Sequence, residues 1–363
     1  LSAPATEQTR EAYMAALFAE IGGRAKDYSD RTVTSIFIGG GTPSLLSGEQ
    51  IGQLMDRIRE QFAMAQDAEI TMEVNPGTAS AEKLRNFYTA GINRLSIGMQ
   101  SAQAEELKNL GRIHDFEGFC QVYREAVEAG FTNINVDIMS GLPGQTLASY
   151  RDTLEKVLHL EPMPQHISAY SLIVEEGTPF AAMAERGELP LPEEETERAM
   201  YEETIEVLAK YGFHRYEISN YARDGYECRH NVGYWIRRDY LGFGIGAASL
   251  IDNVRFQNEK SLGAYLAHPL ESREEEQTLT VQDRMEETMF LGLRLTRGVS
   301  CVDFAEQYGR TVEEVYGEVI ARNVADGLLT VTERKENQKK DRFLALTKRG
   351  LDLSNYVMAQ FLF

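Results

Sequence analysis

The sequence predicts an α/β fold: a mostly parallel sheet curled into a barrel or part of one, followed by an extension and a winged-helix-like C-terminal domain. Two observations carry this. The first 175 residues repeat one rhythm of short β-rich run, turn and amphipathic stretch, and strand–helix alternation builds parallel sheets. The tail from Val281 instead reads three helices, an apolar run at 328–332, a charged turn and a second run at 343–346. A dinucleotide-binding sheet would need G-x-G-x-x-G opening a helix and an acid about 20 residues later. Here Gly39-Gly40-Gly41 leads into Thr42-Pro43-Ser44, so a barrel is preferred, with its ligands at the C-terminal strand ends.

Taken in order, Thr6 can cap a helix carrying Tyr13, Met14, Leu17, Phe18 and Ile21, with Gly22-Gly23 as its stop. Strands are expected at 33–38, 69–74, 94–97, 133–138 and 166–172. Helices fit between and after them at 47–62, 80–89, 102–109, 116–129 and 149–158. Residues 178–192 read as a linker and 193–210 as an acidic amphipathic helix with Met200, Tyr201, Ile205 and Leu208 inward. A strand at 215–219 and a Gly/aromatic-rich segment through Leu250 follow, and the polar stretch 259–279 reads as a boundary. The expected units are therefore 1–177, a partial barrel; 178–275, linker and extension; and 276–363, the C-terminal domain.

Composition narrows the setting. With 43% apolar and 26% charged residues the chain is an ordinary globular one. No apolar run approaches 18 residues, and LSAPATEQTR lacks the basic head and apolar stretch of a signal peptide. Cys120, Cys228 and Cys301 are odd in number and scattered, which points to a reducing, cytoplasmic setting rather than a disulfide scaffold. A net charge of −19 repels polyanions, so nucleic acid is not an expected partner. The window 334–349, with seven Lys/Arg against two acids, reads as a solvated hairpin.

Several polar residues interrupt apolar strands at their C-terminal ends. Gly39-Gly40-Gly41 lets the backbone approach a ligand and can aim its amides at a carboxylate. Glu73 in Glu-Val-Asn-Pro, Gln100-Ser101 and Asp137 follow on successive strands, with Arg112 and His114 in the loop Leu-Gly-Arg-Ile-His. A lone buried acid or Gln is usually a satisfied core group. A series on one barrel rim suits a zwitterionic nucleoside. Glycine amides take a carboxylate, Glu73 or Asp137 takes an ammonium or ribose hydroxyls, Gln100 donates and accepts, and Arg112 meets an acidic group. Gly141-Leu142-Pro143-Gly144-Gln145-Thr146 is expected as a rigid loop over this site.

These motifs, together with Arg94-Leu-Ser-Ile-Gly-Met-Gln-Ser101 and Asn135-Val-Asp137, form an ordered series over roughly 110 residues. The series resembles the oxygen-independent coproporphyrinogen III oxidase family of radical SAM proteins. The resemblance implies a partial (β/α)6 radical SAM barrel with its first strand upstream of Leu1. It implies that Gly40, Gly41 and Thr42 meet the methionine part of S-adenosylmethionine. Glu73, Gln100, Arg112 and Asp137 would contact its amine, carboxylate and ribose, and Ser171 would lie near adenine. His230-Asn-Val-Gly-Tyr-Trp235 resembles the signature of the haem-chaperone (HemW-type) branch. An imidazole on iron with rings against the porphyrin is sensible haem chemistry, so His230 is the candidate haem-iron ligand, with Cys228 as a second soft donor to consider.

The family holds its 4Fe-4S cluster on C-x3-C-x2-C, a spacing this sequence lacks. The cysteine loop is therefore expected just upstream of Leu1, with the cluster in the full-length protein. Two functions compete. A haem chaperone would bind haem and pass it to an acceptor protein, with transient association with membrane haem proteins as a further expectation. The oxidase would decarboxylate two porphyrinogen propionates to vinyls. The His230–Trp235 signature favours the chaperone, and no catalytic residue is assigned.

Overall fold

The computed structural model describes residues 6–271, 273–336 and 339–362. Helix α1 (Glu7–Arg24) begins on Thr6, whose side chain accepts from the Thr9 amide, and buries Met14, Leu17 and Ile21. Five parallel strands follow: β1 (Thr32–Ile38), β2 (Ala63–Val74), β3 (Arg94–Gln100), β4 (Ile134–Ser140) and β5 (His166–Ser171), adjacent in chain order. Their crossovers are α2 (Gly48–Gln61), α3 (Ala81–Thr89), α4 (Ala104–Asn109) with α5 (Phe116–Ala129), and α6 (Leu147–Leu158). Strand β2 starts earlier than its sequence pattern suggests. Ala63 and Met64 already pair with Thr32 and Val33, and the register then shifts before Ser35 meets Glu69.

Strand alternation separates the two faces of this sheet. Leu95, Ile97 and Met99 of β3, with Ile134, Val136 and Ile138 of β4, belong to the main core with Phe87, Phe119, Tyr123 and Leu154 of the helices. The intervening Arg94, Ser96, Asn135, Asp137, His166 and Ser168 therefore line the concave face. The curled sheet is a half-barrel whose inside is polar.

After α7 (Pro179–Glu185) and α8 (Glu194–Lys210), the short strands β6 (His214–Arg215) and β7 (Asn220–Ala222) join the sheet antiparallel, β7 beside β5. Two expectations change here. Thr178, read as linker, caps α7. The predicted strand 215–219 is instead mostly a turn, because the buried Glu217 carboxylate accepts from the Ser219 amide (2.7 Å) and the Asn220 side chain (2.6 Å).

The extension holds α9 (Arg229–Trp235), β8 (Ala248–Ile251), β9 (Val254–Asn258), α10 (Leu262–Ala267) and β10 (Arg273–Thr278), with the strands in an antiparallel sheet. The polar stretch that reads as a boundary thus contains α10 and β10, a strand with every side chain exposed. Buried Glu20 ties α1 to this extension. Its carboxylate accepts from the Gly244 amide (2.9 Å), Tyr265 hydroxyl (2.7 Å) and Asn258 side chain (2.7 Å), and pairs with Arg24 (3.0 Å).

The last unit runs α11 (Val281–Gly292), β11 (Val299–Ser300), α12 (Cys301–Tyr308), α13 (Val312–Ala325), β12 (Leu329–Glu336) and β13 (Lys339–Leu346), then α14 (Lys348–Asp352) and α15 (Ser354–Ala359). The helices and the β11-β13-β12 sheet enclose a second core around Met289, Phe304, Tyr316, Leu344 and Phe361. Gly298 needs its left-handed φ of +81°, and a Cβ there would strike the Leu344 carbonyl. In the basic hairpin Arg342 pairs with Glu313 (3.0 Å), while Asn337 and Gln338 lie outside the described residues. No described helix is long and apolar enough to cross a membrane.

Removing Glu20 would leave the Arg24 guanidinium buried without its carboxylate. Glu20→Ala is expected to cost about 3–5 kcal/mol, the range for breaking a buried ion pair, read as a lowered urea midpoint. An unchanged midpoint would show that the extension is not anchored through this residue.

Candidate functional site

The strand ends converge on a groove of about 230 Å³, lined by Gly41, Thr42, Glu73, Gln100, Arg112 and Asp137 together with Pro43, Asn75, Ser96 and Gly98. Gly40 and Gly41 adopt φ of +76° and +91°, a conformation costly for residues with a Cβ. A Cβ at Gly39 would press on the Glu73 carboxyl. The Gly40 amide donates to Glu73 Oε2 at 3.2 Å. Ser44 fixes this loop to the next one: its hydroxyl meets Thr78 Oγ1 (2.6 Å) and accepts from the Asn75 amide (3.0 Å). Lys83 donates to the Ser44 (2.8 Å) and Thr78 (3.2 Å) carbonyls.

Gln100 carries backbone strain at the groove, with φ of +69° on a non-glycine residue. Asp137 Oδ1 accepts from Asn135 Nδ2 (2.7 Å) and Oδ2 from Ser96 Oγ (3.2 Å). Burial raises the Asp137 carboxyl above its ordinary range. Burial raises Glu73 too, helped by the negative charge of Asp137 and opposed by the Gly40 amide. Burial depresses the Arg112 guanidinium, and Asp137 pulls it back up. Two acids, one cation and the glycine turn at Gly40-Gly41 thus meet at one groove, a set that matches an amino-acid zwitterion and a diol.

Ser171 and the 141–146 loop are not among the residues lining this groove. Ser171, at the end of β5, is exposed, contacts Ser140 Oγ (3.2 Å) and does not line the groove. The 141–146 loop is anchored by the Gln145 side chain, which accepts from the Leu142 amide (3.2 Å) and donates to the Met139 carbonyl (3.1 Å). Buried Glu106 gathers Ser101, Gln145 and Ser149 at 2.6, 3.0 and 2.6 Å.

His230 occupies a second position on the concave face, on α9. Glu69 of β2, itself buried, accepts from the Arg229 amide (3.1 Å) and the His230 amide (3.0 Å), so a carboxylate caps the helix. The His230 ring lies 5.2 Å from Phe37 and 4.9 Å from Tyr234, centre to centre. Its Nδ1 meets Ser35 Oγ (3.0 Å) and its Nε2 the Tyr234 hydroxyl (3.1 Å). Burial pushes its pKa down to about 4, so the imidazole is neutral at pH 7, the form that ligates metals.

Cys228 does not serve as an accessible soft donor. It is buried, its thiol donates toward Glu69 (3.5 Å), and burial pushes its pKa up to about 11. Trp235 faces away from the barrel: the Arg294 guanidinium sits 4.3 Å from its ring centre, and Arg237 pairs with Glu287 (2.8 Å). The signature helix therefore spans from the half-barrel to the C-terminal domain. Ser35, Glu69 and Tyr234 were not read as partners of His230 from the sequence; the available signal was the polar, period-two alternation of the strands. Among the described residues no group of three or more His, Cys, Asp or Glu could hold a metal ion. Cys120, Cys228 and Cys301 belong to three separate elements, so these residues do not form a cluster site.

The chain is similar to known proteins over nearly its whole length. Residues 4–157 match the radical SAM superfamily and 279–353 the HemN C-terminal domain. Heme chaperone HemW of Bacillus subtilis is 38% identical over 362 residues, covering 98% of this chain and 92% of the relative. HemW of Lactococcus lactis is 35% identical over 358 residues, with 98% and 91% covered. The solved structure of coproporphyrinogen III oxidase (HemN) from Escherichia coli superposes with a TM-score of 0.81 at 26% identity, covering 98% of this chain and 84% of that one.

The depressed His230 pKa has a thermodynamic sign. An unfolded histidine titrates near 6.5. Between 6.5 and about 4 the unfolded chain takes up a proton that folded His230 refuses, so stability falls as pH drops through that window. The raised carboxyls of Glu73 and Asp137 act oppositely, so the comparison must be with a variant. Urea midpoints at pH 7, 6 and 5 are expected to decline less steeply in His230→Ala, by at most about 1.4 kcal/mol per pH unit for one proton. Parallel declines would mean His230 is protonated in the fold.

Proposed function

We propose, on the premise that the chain belongs to the HemW haem-chaperone family of the radical SAM superfamily, that it binds haem at His230 and passes it to an acceptor protein. One observation carries the reading. A neutral imidazole is held between two aromatic rings on a helix capped from inside the half-barrel. The imidazole needs no deprotonation before it meets iron, and Phe37 and Tyr234 offer apolar faces to a macrocycle. Its Nε2 is engaged only by a hydroxyl, a contact worth about 1 kcal/mol net, so exchange for a metal bond is feasible. Delivery then requires only that the acceptor's ligand replace this one.

The rim groove is assigned to S-adenosylmethionine. Gly40 and Gly41 amides would take its carboxylate with Arg112, Glu73 its ammonium, and Asp137 with Gln100 the ribose hydroxyls. When bound and reduced, this cofactor supplies a 5′-deoxyadenosyl radical. The family also implies a 4Fe-4S cluster, and the described residues provide no ligands for it.

Two measurements test the assignments. Haem added to the protein is expected to give a Soret band that weakens at least about tenfold in affinity in His230→Ala; equal titrations would sink the ligand assignment. Turnover of coproporphyrinogen III under anaerobic, reducing conditions would favour the oxidase reading instead. For the groove, Arg112→Met and Asp137→Asn should each weaken S-adenosylhomocysteine binding by about tenfold, the value of one charge-assisted hydrogen bond. Unaltered calorimetric affinity in both would remove the groove from the nucleoside assignment.

A further inference from the structure

Arg94 opens β3 and faces the concave side of the sheet with Ser96. It is 2% exposed, yet its Nε has no hydrogen-bond partner. Among the described residues no hydrogen bond or ion pair engages its guanidinium. Thr71, its register partner on β2, is fully buried, and its hydroxyl oxygen also lacks a partner. Neighbouring acceptors are committed elsewhere. Glu69 caps α9, and Asp137 serves Asn135 and Ser96. The Asn135 carbonyl oxygen serves His166 Nδ1 (2.6 Å) and Ser168 Oγ (3.1 Å). Asp137 lies within electrostatic reach of Arg94 but forms no ion pair with it. A buried cation without a directly bonded anion is costly unless something compensates it. What Arg94 lacks is a contacting carboxylate.

The place of this cation relative to His230 matters. Phe37, Thr71 and Arg94 form one row across β1, β2 and β3, and the His230 ring packs on Phe37. Adjacent strands lie about 4.8 Å apart, so the row spans about 10 Å. A planar ring system whose central metal meets His230 and whose acidic arm extends along this row would end at Arg94. We propose that Arg94, with Thr71, is a carboxylate subsite of the half-barrel that takes a propionate of the porphyrin. The subsite rests on the haem reading for the identity of its ligand. It gives the cargo an orientation, because a guanidinium fork selects a carboxylate over a neutral ester.

The test compares metal-free protoporphyrin IX with its dimethyl ester, followed by quenching of the single tryptophan, Trp235. The native protein should bind the diacid at least about tenfold more tightly than the ester. Arg94→Met should erase that ratio, and Arg94→Lys should keep part of it. Because the readout is a ratio, a general folding defect cannot imitate it. Equal affinities in the native protein, or an intact ratio in Arg94→Met, would overturn the subsite and leave Arg94 as a residue solvated by internal water. Iron is absent from this comparison, so it stands even if haem titrations show His230 is not the ligand. A protein that binds neither porphyrin overturns the subsite, while the haem titration of His230→Ala decides the iron ligand separately.

Discussion

The position of α9 depends on a carboxylate buried inside the sheet. Glu69 supplies acceptors for two amides at the start of a seven-residue helix, too short to be stable alone. Without it those amides would be buried unpaired, at about 1–3 kcal/mol each. The same carboxylate receives the Cys228 thiol and so closes the floor of the half-barrel. From this anchor the helix runs outward until Trp235 meets Arg294 of the C-terminal unit. One side chain of β2 thus sets the geometry of His230 on one side and the seat of a separate hydrophobic core on the other.

The concave face is a continuous polar layer rather than a core. Its members satisfy one another in a chain from Asp137 through Asn135 to His166 and the Tyr216 hydroxyl (2.8 Å). Such a network holds its shape only when complete. The exceptions therefore carry information: Arg94 Nε and the Thr71 hydroxyl lack hydrogen-bond partners inside the sheet. Arg94 and Arg112 both share the field of Asp137 without bonding to it.

Much of this was legible in the sequence, and the reasons differ by element. Glu73, Gln100 and Asp137 stand out because each lies in the C-terminal half of a largely apolar strand, the end where a barrel keeps its ligands. Arg94 and Glu69 begin or precede such runs, where a charge is indistinguishable from the preceding turn. Contact between Ser35 and His230 spans 195 residues and leaves no local pattern. Ser171 lies at the end of β5 and does not line the groove. The 215–219 segment alternates like a strand, but the Glu217 carboxylate bends it by binding its own neighbours.

The clasp at Glu20 also fixes an order of events during synthesis. Its partners Gly244, Asn258 and Tyr265 lie 224, 238 and 245 residues downstream. At about 5–20 residues per second, the ribosome delivers them roughly 10–50 seconds after α1 emerges. For that interval a helix destined for the interior carries a carboxylate met only by Arg24, without its three distant donors, and an apolar face only partly covered. An element made well before its partners is among the last to be sealed, so the nascent chain passes through a long window in which a holdase or a passing apolar surface can compete for it.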